Sequence, residues 1–367
     1  MSEFIKKRAR KEIFDLKPYV PGKPVEEVQR ELGIDNIIKL ASNENPLGPS
    51  PMARQAVSRM VDQMHVYPDA NCFYLKQKLA QAYDHDIHGI LVGNGSDELL
   101  KLLAETFLNP TDQVVYGQPS FSEYDFTATI MGAKSVKVPL LDFKHDLKAM
   151  LAAVTPQTKI VYICNPNNPT GTMVAEGELD AFMAQIADDV LVVFDEAYSE
   201  YSQNPAYGSG LKFVRAGRHA VVLRTFSKIY GLAALRIGYA LTTPDIAAAV
   251  ETVIEPFNVN MLAQIAAAAA LDDKEHLQRS GEVNQEGKRY LYKEFEKMQL
   301  DYVPTEANFI FVDTDKDCRE VFENLLRQGI IIRSGDIFGY PTFIRVTVGT
   351  GEENRRFVEG LRKVLEA

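Results

Sequence analysis

Four short stretches hold residues whose types and spacing could do chemistry. The apolar run 190–194 closes in Asp195 and Glu196. Such a pair would suit a magnesium ion beside a nucleotide only if G-x-x-x-x-G-K-[ST] occurred elsewhere, and it does not. Asp195 is then either a carboxylate at a strand's carboxyl end, where open α/β sheets bind ligands, or a helix cap or loop ion pair. Residues 92–98 read Val-Gly-Asn-Gly-Ser-Asp-Glu after a short strand and before an amphipathic stretch. Gly93 and Gly95 permit close backbone approach, Ser96 and Asp97 can cap, and the free N–H groups of a helix start suit an anion such as phosphate. A plain capping turn reads the same way. Residues 165–171, Asn-Pro-Asn-Asn-Pro-Thr-Gly, form a stiff polar loop that is either a turn or a ligand platform. Thr225-Phe-Ser227-Lys228, with Arg236 eight residues on, places an amine among hydroxyls. A partly desolvated lysine there would be a Schiff-base nucleophile, with Thr225, Ser227 and Arg236 suited to a phosphate; a solvated lysine is the plainer alternative.

The elements that must position these residues can be read from periodicity. Strands are predicted at 90–92, 113–116, 135–138, 159–164, 190–194, 220–224 and 238–241, with helical stretches between several of them. That alternation predicts crossover connections and a mostly parallel, seven-stranded sheet in an α/β fold. It stops near residue 250, beyond which the chain reads as two helices and then a smaller α+β unit. The expected division is a large ligand-binding domain over 45–255 and a small domain made of 1–44 with 256–367.

The 367 residues carry 40 Lys and Arg against 50 Asp and Glu, a net charge of −10, which excludes a broad nucleic-acid or anionic-membrane surface. Three scattered cysteines exclude a disulfide framework. No secretory leader or membrane span is expected, so the chain reads as cytoplasmic. The six histidines suggest no metal site. The basic run from Lys6 to Lys11 reads as a solvated arm.

Together the four stretches fall in chain order at four strand ends: a phosphate cradle, an amide donor, a carboxylate, and an amine with hydroxyls. Pyridoxal 5′-phosphate, with a phosphate, a phenolic oxygen, a ring nitrogen and an aldehyde, would use all four. The sequence resembles the fold-type I PLP-dependent aminotransferases through NPNNPTG, DEAY (195–198) and SK-x₇-R (227–236), with matching segments from about 40 to 350. Residues 39–50, Tyr67-Pro-Asp69, Arg333 and 344–349 resemble the branch that acts on histidinol phosphate.

The resemblance implies that Lys228 forms the Schiff base, that Asp195 pairs with the ring nitrogen, and that Asn168 and Tyr198 bond the phenolic oxygen. Phe121 would stack on the ring. Gly95, Ser96, Asp97, Thr225, Ser227 and Arg236 would surround the phosphate, Asp97 through its backbone or by orienting neighbours. Tyr67 would reach the cofactor of a second subunit, which implies a homodimer. Tyr19, Asn45, Arg333 and Arg345 would bind substrate. Ala234 and the Ser-Gly-Asp after Arg333 depart from the family pattern.

The implied reaction is transamination between histidinol phosphate and 2-oxoglutarate, a step of histidine biosynthesis. Phenylalanine or tyrosine transamination is the alternative. A decarboxylase on the same scaffold is another, and an aminotransferase-like transcription regulator would need a DNA-binding domain for which about forty residues are too few.

Overall fold

The computed structural model describes residues 2–16 and 22–366. Its strands are, in chain order, β1 (Ile38–Lys39), β2 (Ile90–Gly93), β3 (Gln113–Gln118), β4 (Lys134–Pro139), β5 (Thr158–Cys164), β6 (Leu191–Asp195), β7 (Ala220–Thr225), β8 (Gly238–Thr242), β9 (Tyr302–Val303), β10 (Phe309–Asp313), β11 (Ile330–Ile331), β12 (Arg333–Ser334) and β13 (Phe343–Thr347).

Seven of them form the main sheet, in the order β2-β8-β7-β6-β5-β3-β4. Only β8 runs against the direction of the other six, so the expected α/β, mostly parallel sheet is present. Successive side chains of a strand point to opposite faces, and both faces here are covered. Ile163, Val192, Phe194 and Val222 enter one core. Tyr162, Val193, Val221 and Leu223 enter the other. The Ser96–Phe107 helix feeds the second core with Leu99, Leu100, Leu102 and Leu103. From β3 the chain steps outward to β4 and then returns to β5 on the other side. A reversal of this kind opens a crevice at the carboxyl ends of the strands.

The second sheet is antiparallel, in the order β12-β13-β10-β9, and packs with the Lys274–Lys297 and Gly351–Glu366 helices through Leu291, Phe295, Phe357 and Leu361. β1 joins this unit by parallel pairing with β11, and Ile38 and Leu40 enter its core. Two segments outside the sheets touch the main-sheet unit. The Met261–Ala270 helix packs on the Pro51–Ser58 and Phe73–Tyr83 helices, with Ala263, Ala266, Ala267 and Ala270 fully buried in the core of the main-sheet unit. At the other end, Arg10 donates to the carbonyl of Ile130 in the main-sheet unit, so the earliest residues do not all lie on the C-terminal one. Among the described residues no helix is long and apolar enough to cross a membrane, and no cluster could hold a metal ion.

Candidate functional site

The carboxyl ends of β5, β6 and β7 open into a cavity of about 410 Å³ that β12 and β13 help to close. Asp195, the last residue of β6, is 3% exposed. Its donors are neutral: the Tyr124 hydroxyl to Oδ2 at 2.6 Å and the Ala197 N–H to Oδ1 at 3.2 Å. Burial lifts its carboxyl to about 6, against the pull of those two hydrogen bonds. A buried carboxylate supplied only with neutral donors is completed by a cation.

Lys228 lies three residues past the end of β7, and its Nζ donates to the Ser42 carbonyl at 3.2 Å. Burial first, and then the Arg345 charge, push its amine down to about 8. The lysine can therefore give up its proton near neutral pH, as a nucleophile or proton carrier must.

An anion cradle is built around the start of the Ser96–Phe107 helix. Gly95 precedes it at φ +85°, a conformation that favours glycine, and a Cβ there would stand 2.6 Å from Arg236 Nη2 and displace that guanidinium. Arg236 donates to Ser227 Oγ at 3.3 Å and to Asp97 Oδ2 at 3.0 Å. Asp97 thus acts as an orienting partner of the arginine. The Ser227 N–H donates to Thr225 Oγ1 at 3.0 Å, and Ser96 lines the same cavity.

The polar loop after β5 divides its labour. Asn165 holds the backbone of Val174 and Gly208, and Asn167 holds Pro119, Ser120 and Thr170. Only Asn168 turns to the cavity, where its Oδ1 accepts from Arg345 Nη1. Arg345 also donates to the Ala41 carbonyl at 2.8 Å. Arg333 and Arg345 stand directly opposite one another across the β12–β13 pair, and both line the cavity. The Tyr198 hydroxyl accepts from Asn43 Nδ2 at 3.0 Å, and burial keeps it protonated. Phe121 forms part of the wall, edge-on to Tyr124 at 5.9 Å.

One residue expected to bind substrate is placed elsewhere. Asn45 is a buried strut: its Nδ2 donates to the Ile229 carbonyl at 2.7 Å and to Ser280 Oγ at 2.9 Å, and it does not line the cavity. Its neighbours Ser42, Asn43 and Glu44 do. Asn43 takes φ +57°, and this reversal sends alternate side chains of the segment elsewhere than a continuous strand would. Tyr67 is 78% exposed and stacks on Phe257 at 4.7 Å, outside this chain's cavity. Tyr19 lies outside the described residues. Tyr124 belongs to none of the four motifs; its spacing three residues beyond Phe121, on a helix start facing the same strand end, is the one signal that points to it.

Residues 35–361 match the family described as aminotransferase class I and II. The chain is 56% identical over 359 residues to the histidinol-phosphate aminotransferase of Moorella thermoacetica, an alignment covering 98% of this chain and 93% of that one. It is 46% identical to the protein of that name from Caldicellulosiruptor saccharolyticus, over 97% and 99% of the two chains. The fold superposes on the crystal structure of the histidinol-phosphate aminotransferase from Sinorhizobium meliloti in complex with pyridoxal-5′-phosphate, with a TM-score of 0.91, 28% identity and 98% of each chain covered. A sheet with its crevice, a lysine and a carboxylate at adjacent strand ends, and a family match over most of the length agree: the chain belongs to the class I and II aminotransferases.

Proposed function

We propose that this aminotransferase binds pyridoxal 5′-phosphate and exchanges an amino group between histidinol phosphate and 2-oxoglutarate. One observation carries the reading. The cavity holds two arginine groups from different parts of the fold with different partners: Arg236, in the loop before β8, with Ser227 and Asp97, and Arg345 on β13 facing Arg333 on β12. One group suits a cofactor phosphate, and the other suits a substrate that is itself an anion. The names of the relatives at 56% and 46% identity support a phosphorylated substrate.

The residues present fit the cofactor. Gly95, Ser96, Thr225, Ser227 and Arg236 would hold its phosphate with the helix N–H groups, and Asp97 would keep Arg236 in place. Asp195 would pair with the ring nitrogen, Asn168 and Tyr198 with the phenolic oxygen, and Phe121 would cover the ring. Bound there, pyridoxal phosphate supplies an aldehyde to carry the amino group and a protonated ring that withdraws electrons from the reacting carbon. Lys228 Nζ, with roughly a tenth of its population neutral at pH 7, takes a proton from the substrate carbon and gives one back to that carbon in the reverse half-reaction. Asp195, once opposite a cation, stays ionised. Arg345 and Arg333 hold the phosphate of histidinol phosphate in one half-reaction and a carboxylate of glutamate in the other, since guanidinium forks bind both. Asn43 keeps the Tyr198 hydroxyl turned into the site.

The same reading makes the enzyme a homodimer in which Tyr67 serves the partner's cofactor, and places it in the cytoplasm, where its three buried free cysteines stay reduced. It also takes the chain as two domains, a large one built on the main sheet and a small one built on the antiparallel sheet. Amino-donor exchange with purified enzyme tests the assignment. Histidinol phosphate should outpace phenylalanine and tyrosine with 2-oxoglutarate as acceptor, and Lys228→Ala should show no turnover. Preference for an aromatic donor would overturn the substrate; turnover in the lysine variant would overturn the site.

A further inference from the structure

Asp195 is held by a side chain that the roles above leave without a task. Tyr124 is fully buried, and its hydroxyl reaches Asp195 Oδ2 at 2.6 Å. Its ring cannot swing away: it stacks on Tyr162 at 4.6 Å with the planes 7° apart, and meets Tyr116 and Phe121 edge-on at 5.8 and 5.9 Å. Among the described residues, it is the side-chain donor to this carboxylate; the other donor is the Ala197 backbone. We infer that Tyr124 is a positioning residue for the cofactor: its hydroxyl fixes the plane of the Asp195 carboxylate and so presents it to the ring nitrogen. The inference rests on the reading that Asp195 meets that nitrogen.

The groups facing Asp195 make this donor matter. Cys164 on β5, Asp97 at the start of the Ser96–Phe107 helix and Glu196 next to it in the chain are all acids or potential anions. The charges of Asp97 and Glu196 disfavour a charge on Asp195, as burial does, while the Cys164 thiol is kept neutral by its own burial. The Tyr124 hydrogen bond and the Ala197 N–H act in the opposite sense. Burial keeps the tyrosine itself protonated, so it remains a donor across the working pH range. Without its hydroxyl the carboxylate would titrate at higher pH and would be free to rotate about its last bond. The same ring backs Phe121, so the face and the edge of the bound ring are referred to one aromatic cluster.

The test is titration of cofactor-free Tyr124→Phe with pyridoxal phosphate, monitored by absorbance at pH 6, 7.5 and 9. Hydrogen bonds to charged groups are worth enough to predict a dissociation constant raised about tenfold near neutral pH. The loss should be larger at pH 6 and narrower at pH 9, where Asp195 is ionised in both proteins. Turnover should fall while KM for the amino donor changes less than about twofold, since no substrate contact is removed. A merely structural tyrosine would lower the melting temperature and leave the affinity and its pH dependence as in the wild type; that result overturns the inference. Site-specific 3-fluorotyrosine at 124, a stronger donor of the same shape, should move the acid limb of binding to lower pH, and an unchanged limb would count against the role even if the phenylalanine variant did not fold. A wild-type protein that takes up no pyridoxal phosphate defeats the underlying reading instead, so the two failures are distinct.

Discussion

Asp195 and Glu196 are consecutive carboxylates at one strand end, and they have opposite environments. Glu196 is fully buried and closed by the protein: Arg224 at 2.7 Å, the Ser209 hydroxyl at 2.9 Å and the Gly210 N–H at 2.6 Å. Asp195, on the cavity side, receives two neutral donors. Period-two geometry sends neighbours to opposite faces, so one acid completes the scaffold and the next is left for a ligand to complete. A buried ion pair with its hydrogen bonds satisfied is a structural element; a buried acid without a cation is a receptor.

The contrast can be broken by mutation, and the largest effect should come from the closed acid. Glu196→Gln leaves Arg224 buried beside a neutral amide and should cost about 3–5 kcal/mol in denaturant unfolding. A loss below about 1 kcal/mol would mean the pair is not what closes that edge. Asp195→Asn should act in the other direction on cofactor-free protein. The wild-type carboxyl is raised to about 6, so its charge opposes folding above that pH. The variant should be more stable by on the order of 2–3 kcal/mol above pH 6, a gain that fades toward pH 4 as the wild-type acid becomes neutral. The same variant should lose turnover by orders of magnitude, so stability and activity part company.

A second pair of residues sharpens the comparison. Asn45→Ala should lower stability by about 1–2 kcal/mol, through the stranded Ile229 carbonyl and Ser280 hydroxyl, with KM unchanged. A raised KM would return Asn45 to the substrate. The smallest effect belongs to Asp97→Asn: its pair with Arg236 is over two-fifths exposed on both sides, so stability should change by less than about 1 kcal/mol. What it should do is weaken pyridoxal phosphate binding a few-fold, measured by titration at low and high salt.

These pairs also show why only part of the site is legible in the sequence. Lys228, Asp195, Asn168 and Arg236 stand at or near strand ends, where local pattern and position coincide, and all four line the cavity. The sheet is legible for the same reason, since apolar runs such as 190–194 mark strands buried on both faces. Asn43 is not, because what gives it a place is the Thr347 hydroxyl, 304 residues away, and a left-handed φ that no neighbour announces. Asn45 misleads because two asparagines in one short segment look equivalent until the chain reverses at Asn43. Tyr124 depends on a contact 71 residues distant. The β8 reversal and the docking of the Met261–Ala270 helix are likewise products of tertiary packing, to which periodicity is blind.

The cavity is closed by bonds between an early and a late segment of the chain: Arg345 to Ala41 and Asn43 to Thr347, each spanning 304 residues. The anion cradle, by contrast, is complete in sequence once Arg236 has been made. During synthesis, in which earlier segments fold first, a nascent chain could therefore present the phosphate cradle well before it can present the paired arginines. Assembly order would then track the order of chemistry, with the carrier's seat made first and the substrate's anchor added last.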